Sequence, residues 1–202
     1  MARRHTSRIP GSDLSRTTPE RAVSVAQLLH HECSLLLELY RKKESFTADV
    51  TATDGRLVSV PPASSQLDPK DKLWRLHSAL LQCRSLLERA VTKEEEELGG
   101  GKKGEYETQR KMVKERLSLL IANTGELLKA VDGTAVPTPN LEGLELEGPT
   151  VLFEIKLWVY RIFKEVEYWS KTAITTLQDL PTVKAKGRAN TARVRSTRSA
   201  RR

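Results

Sequence analysis

The chain is predicted to be all-α, an up-up-down-down long-chain four-helix bundle with two overhand crossover loops. Three observations carry this. Apolar residues recur at alternating three- and four-residue spacing in four separate segments, which is the period of one helix face turned toward a core. The connections between those segments run long, short, long. Nothing between them alternates long enough to demand a sheet, although Leu57 to Val60 has the composition of a short extended piece.

The first stripe is Ala22, Ala26, Leu29, Cys33, Leu36 and Tyr40, widened by Val25, Leu28, Leu35 and Leu39, and it places a helix over about 19–43. Thr18 followed by Pro19 supplies a capping hydroxyl and a proline at the first helical position, where no N–H is needed. The second stripe, Leu73, Leu76, Leu80, Cys83, Leu87 and Ala90, gives a helix over about 68–98. It opens at Asp68-Pro69, with Asp71 near the positive end of the helix dipole, and stops at Gly99-Gly100-Gly101.

The third stripe is Tyr106, Val113, Leu117, Leu120, Leu127 and Val131, with Arg110 and Thr124 on the same face and Ile121 and Leu128 beside it. It predicts a helix over about 105–132, with Gly133 as its stop. The fourth is Leu152, Ile155, Val159, Ile162, Val166, Trp169 and Ala173, flanked by Leu157, Trp158, Phe163 and Leu177. It predicts a helix over about 150–180, beginning after Gly148-Pro149 and ending before Pro181.

Loop length sets the topology. A helix of about 22 residues is roughly 33 Å long at 1.5 Å per residue, and extended chain covers at most about 3.3 Å per residue. The connections over 44–67 and 133–149 can span that distance, whereas the one over 99–104 cannot. The first two helices therefore run parallel, the chain turns sharply, and the last two run parallel in the opposite sense.

The net charge of +8 first suggests a nucleic-acid partner, but its distribution argues otherwise. Residues 181–202 carry eight Lys or Arg and no acid, and residues 1–16 carry four Arg against Asp13, so the flanks hold +8 and +3 and the body from 17 to 180 holds −3. A folded face that grips phosphates should itself be basic. The expected organisation is a helical domain over 18–180 between disordered basic tails, 1–17 and 181–202. No specific nucleic-acid binding and no membrane insertion are expected. No apolar run follows the basic N-terminus, so no secretory signal is readable, and no stretch approaches the roughly 18 apolar residues of a membrane span. Cys33 and Cys83 each fall inside an apolar stripe, where a free, buried thiol is favoured over a disulfide.

Reactive groups do not converge. No Glu stands three residues before any of His5, His30, His31 or His77, as a di-iron bundle would require. His30 and His31 point about 100° apart on a helix and cannot chelate one ion together. The run Gly99 to Gly104 lacks the ending of a phosphate loop and follows a helix rather than a strand. Glu94 to Glu97 sit where the helix dipole opposes them, so a frayed, solvated end is expected there. No catalytic residue, cofactor or metal is expected.

At the fourth helix the residues become specific. The stretch Leu152-Phe153-Glu154-Ile155-Lys156-Leu157-Trp158, continuing through Glu165 and Trp169 to Asp179-Leu180, resembles the last helix of the ciliary neurotrophic factor family without a gap. Weaker similarity extends to Tyr40, to Asp54-Gly55 with Val58, and to Leu86-Leu87 with Arg89. Cardiotrophin-like cytokines are near alternatives. The resemblance implies a neurotrophic cytokine, cytoplasmic until released by an unconventional route and acting outside the cell as a monomer or weak dimer.

It also implies partners: the leukaemia inhibitory factor receptor, the shared signal transducer of the interleukin-6 family, and the ciliary neurotrophic factor receptor α. Phe153 and Lys156 form the Phe-x-x-Lys pair that contacts the first of these in such cytokines. At i and i+3 they share one patch, an aromatic anchor beside a cation. Taken alone, Phe153 closing the core beside a solvated Lys156 is the plainer reading, and the resemblance reverses the preference. Glu32 falls where the family has an acid on the transducer face. At the α-receptor face this chain departs from the family: Ser64 stands near an expected tryptophan, and Gln27, His30 and Thr172 stand where arginines would. The competing expectation is an intracellular helical adaptor, or a weak nucleic-acid or heparin binder acting through the basic tail.

Overall fold

The computed structural model describes residues 18–46, 55–61, 64, 66–97, 104–132 and 149–180. They form four helices, α1 (Pro19–Glu44), α2 (Pro69–Glu97), α3 (Glu105–Asp132) and α4 (Leu152–Gln178), with no strand among them. Each lies within two residues of its predicted bounds. Leu57 to Val60 follows bends, not a strand, and Val58 is buried on the bundle there.

The ends are set by local chemistry. Thr18 Oγ1 accepts from Arg21 N–H at 3.3 Å, with Pro19 at the first position. At the far end Ser45 adopts a left-handed φ of 54°, and Phe46 N–H returns to Arg41 O at 3.0 Å. That is a C-terminal lock which also folds the Phe46 ring back onto the helix. Glu107 Oε2 accepts from Gly104 N–H at 3.0 Å, which closes the start of α3 as in a capping box. The start of α4, at Val151, has no side-chain cap.

Pairings fix the topology. Tyr40 stacks near Tyr106 and Glu32 meets Arg116, so α1 and α3 are antiparallel. Tyr40 also reaches Lys156, and His30 reaches Ser170, so α1 and α4 are antiparallel. Glu94 meets Tyr106 while His77 meets Thr124, which makes α2 and α3 antiparallel as well. Both α1 and α2 pack on α3 and α4, while the α1 and α2 backbones stay apart across the diagonal, as do those of α3 and α4. This is the up-up-down-down arrangement that the loop lengths predict.

The core is the four stripes brought together: Leu29, Leu36, Leu73, Leu80, Leu87, Leu117, Leu120, Phe163 and Trp169 are all almost fully buried. Cys33 and Cys83 lie within it as free thiols, and burial pushes both thiol pKa values up. Some stripe positions face solvent instead: Leu28, Leu35, Val131 and Leu152 are exposed.

The acidic end of α2 corrects an expectation. Glu94 is buried rather than frayed: it accepts from Tyr106 Oη at 2.8 and 2.9 Å and pairs with Arg110 at 2.7 Å and Lys43 at 3.4 Å. Four residues after Ala90 it keeps the register of the apolar stripe, so the helix turns it inward, where cations from α1 and α3 neutralise it. Arg110, expected on the core face of α3, is the inward cation that answers it.

Candidate receptor-binding faces

The start of α4 presents three consecutive large apolar side chains to solvent, Val151, Leu152 and Phe153, with Phe153 at 61 % exposure. A helix end that leaves a phenylalanine in water has not spent it on the core. One turn on, the Lys156 ammonium lies 2.6 Å from Glu44 Oε2, whose side chain is nearly buried at the end of α1. Beneath this pair the backbone is pinned: Tyr40 Oη donates to Lys156 O at 3.1 Å, and Arg41 Nε donates to the Tyr160 hydroxyl at 2.9 Å. Tyr40, Phe46, Tyr160 and Phe163 pack edge to face around these bonds, with ring centroids 5.2 to 6.0 Å apart. The aromatic and the cation are thus mounted on a rigid floor made by the last turn of α1.

Glu32 lies on α1 where it meets α3. It is buried, its Oε1 lies 3.1 Å from Arg116 Nη2, and its carbonyl accepts from Gln109 Nε2 at 2.9 Å. Leu28 and Leu35 stand four residues before and three after Glu32; Met112 and Leu119 stand in the same places about Arg116. Residues three and four apart share a helix face. The bridge therefore lies at the centre of four exposed apolar side chains, Leu28, Leu35, Met112 and Leu119, two from each helix.

The third set is only partly assembled. Gln27 is exposed, and one turn further His30 Nδ1 lies 3.2 Å from Ser170 Oγ, whose own proton goes to Glu167 O at 2.6 Å. His30 therefore carries its hydrogen on Nδ1. Thr172 lies on the same stretch of α4 with its hydroxyl turned back to Tyr168 O at 3.0 Å. Ser64 is exposed and accepts from its own neighbour, Gln66 N–H, at 3.3 Å; no hydrogen bond among the described residues joins it to the other three. The first crossover is anchored nearby: the Arg56 guanidinium lies 3.7 Å over the Tyr168 ring, and Arg161 donates to Gly55 O at 2.9 Å.

Glu44, Arg41 and Tyr160 were missed by sequence reasoning, and nothing in their spacing sets them apart. The apolar ring about Glu32 had a signal, since Leu28 and Leu35 lie on the flank of their stripe and not at its centre. No described helix is long and apolar enough to cross a membrane.

Four long helices packed as two parallel pairs give the architecture of a long-chain helical cytokine. A family model described as "Ciliary neurotrophic factor" matches residues 4–198, nearly the whole chain, and the protein belongs to that family, one of cytokines and not of enzymes. A search of curated proteins finds no match.

Proposed function

We propose that the protein is a receptor-bridging neurotrophic signal: separate faces of one bundle each hold a different receptor chain, and their proximity starts kinase signalling inside the cell. The observation that supports it best is the exposed Phe153 beside the anchored Lys156 at the start of α4. An aromatic anchor with a fixed cation next to it is the composition of an interface hot spot. This face takes the leukaemia inhibitory factor receptor.

The α1/α3 face about Glu32 and Arg116 takes the shared signal transducer. Four apolar side chains around a paired, buried charge give a dry centre that costs little to desolvate, because the bridge is already formed. Gln27, His30, Thr172 and Ser64 belong to the α-receptor face, with chemistry that differs from the arginine and tryptophan pattern of the family. The protein acts outside the cell, as a monomer or weak dimer, after release from the cytoplasm.

The test is receptor activation on responsive cells by a Phe153→Ala, Lys156→Ala double variant. Activation is expected to disappear while the helical circular-dichroism spectrum stays intact. Full-strength signalling would remove the α4 face from the mechanism.

A further inference from the structure

We propose that Arg56, carried by the first crossover, supplies the positive charge of the α-receptor face and, with Lys171 beside it, grips a carboxylate-bearing surface of that receptor chain. The inference rests on the proposed reading of that face and adds to it two residues that the resemblance does not supply. Of the residues already placed there, Gln27, Ser64 and Thr172 are uncharged, and the Thr172 hydroxyl is spent on Tyr168 O at 3.0 Å. His30 turns its Nδ1 to Ser170. The crossover makes up the deficit: it lays the Arg56 guanidinium 3.7 Å over the centre of the Tyr168 ring. Lys171 and Thr172 follow Tyr168 by three and four residues, so all three share one face of α4 and the guanidinium stands about one turn from Thr172.

Arg56 is mounted before any partner arrives. On one side of it, Gly55 O accepts from Arg161 Nη2 at 2.9 Å, and a Cβ at Gly55 would crowd that same nitrogen at 3.3 Å. On the other, Val58 is buried in the core and Ser59 N–H donates to Gln82 Oε1 at 3.0 Å, while Gln82 Nε2 donates back to Ser59 Oγ at 3.0 Å. The crossover is thus tied to α4 and α2 within three residues of Arg56. A long side chain held on a ring loses less freedom on binding than one that sweeps through solvent.

Stacking also fixes what the group can take. The ring occupies the flat face of the guanidinium and leaves its N–H edges free, and two parallel N–H donors match the two oxygens of a carboxylate. Neighbouring cations are already committed: Arg161 to Gly55 O, and Lys164 to Glu167 at 3.1 Å. Arg56 and Lys171 are exposed and have no acidic partner among the described residues. Two uncommitted cations on one face call for an acidic surface.

The test is surface plasmon resonance of the full-length protein on the ectodomain of the ciliary neurotrophic factor receptor α, with the leukaemia inhibitory factor receptor ectodomain as control. Arg56→Gln is expected to weaken the first about tenfold, as loss of a charged interface contact does, and to leave the second unchanged. Arg56→Lys should recover only part of the loss, because an ammonium cannot offer two parallel donors. Raising salt from about 0.05 M to about 0.5 M should weaken the unaltered chain more than Arg56→Gln. Equal affinity of Arg56→Gln and the unaltered chain would overturn the proposal. So would an affinity loss with unchanged salt dependence, the mark of a crossover merely loosened. If the unaltered chain does not bind this ectodomain, the α-receptor reading itself falls and takes the inference with it; if it binds and Arg56→Gln binds equally, the inference alone falls.

Discussion

The Lys156 ammonium sits 2.6 Å from the Glu44 carboxylate, so the last turn of α1 holds the cation that α4 presents. Lys156 alone could sweep through many rotamers, and ordering it on binding would cost affinity. Glu44→Gln is expected to weaken binding of the leukaemia inhibitory factor receptor ectodomain by about fivefold, roughly the 1 kcal/mol of a well-placed ion pair at a surface. Surface plasmon resonance measures this directly. Unchanged affinity would mean that Lys156 needs no support from α1.

Glu94 is a buried carboxylate held by groups from two other helices, so disturbing it should be costly. Glu94→Ala leaves Arg110, whose side chain is only 13 % exposed, without its buried partner. Breaking such a pair costs about 3 kcal/mol, the low end of its range because Arg110 keeps its existing contact with Glu95 at 3.5 Å. Tyr106→Phe removes only a hydroxyl that donates to the same carboxylate, about 1 kcal/mol. Urea denaturation should rank the two variants in that order, and the reverse order would deny Glu94 its central place.

His77 gives the stability a pH dependence of defined sign. Burial lowers its pKa below the ordinary 6.5. Its Nδ1–H donates to Thr124 Oγ1 at 2.8 Å, because that hydroxyl's own proton goes to Ile121 O at 3.0 Å. The unfolded chain takes up a proton as pH falls through about 6.5 and the folded chain resists, so this contribution to stability is present above 6.5 and is lost below it. His77→Gln should flatten the melting temperature between about pH 6.5 and 5 relative to the unaltered chain. An identical slope in both proteins would exclude His77 as the source.

The four apolar side chains around the Glu32–Arg116 bridge are exposed, so charging two of them should cost the fold little. Leu28→Asp with Leu119→Asp is expected to change stability by less than about 1 kcal/mol. The same variant should abolish signalling and keep binding to the leukaemia inhibitory factor receptor. Such a molecule would compete with the unaltered protein as an antagonist. Retained signalling would remove this face from the mechanism.

Cys33 and Cys83 should be inert in the native protein. Both are buried, and burial keeps their thiols protonated, so the nucleophilic thiolate is scarce. A coloured disulfide reagent should label neither until denaturant unfolds the chain, when both should react. Rapid labelling without denaturant would contradict the burial.

The helices were legible because a core imposes its period on the residues that face it, and the topology was legible because short connections cannot span a helix. The faces were harder to read. Phe153 follows a stripe residue, Leu152, and periodicity cannot say that both remain in water at an uncapped helix start. Glu94 was misread because its charge outweighed its position, though it continues the Leu87 and Ala90 register. Its partners Tyr106 and Arg110 lie on the next helix, and complementarity between separate helices leaves no pattern in a single sequence. Glu44 follows Lys42 and Lys43 with nothing to distinguish it before the chain is folded.

The diagonal separation of α1 from α2 and of α3 from α4 also bears on how fast the molecule forms. Among consecutive helices, only α2 and α3 are both neighbours in space and joined by a short connection. Every other interface joins segments from distant parts of the chain, so loop closure must come before any reward from packing. Refolding should therefore be slower than in a hairpin-built bundle of equal length, with the α2–α3 hairpin the earliest unit to gain protection from hydrogen exchange.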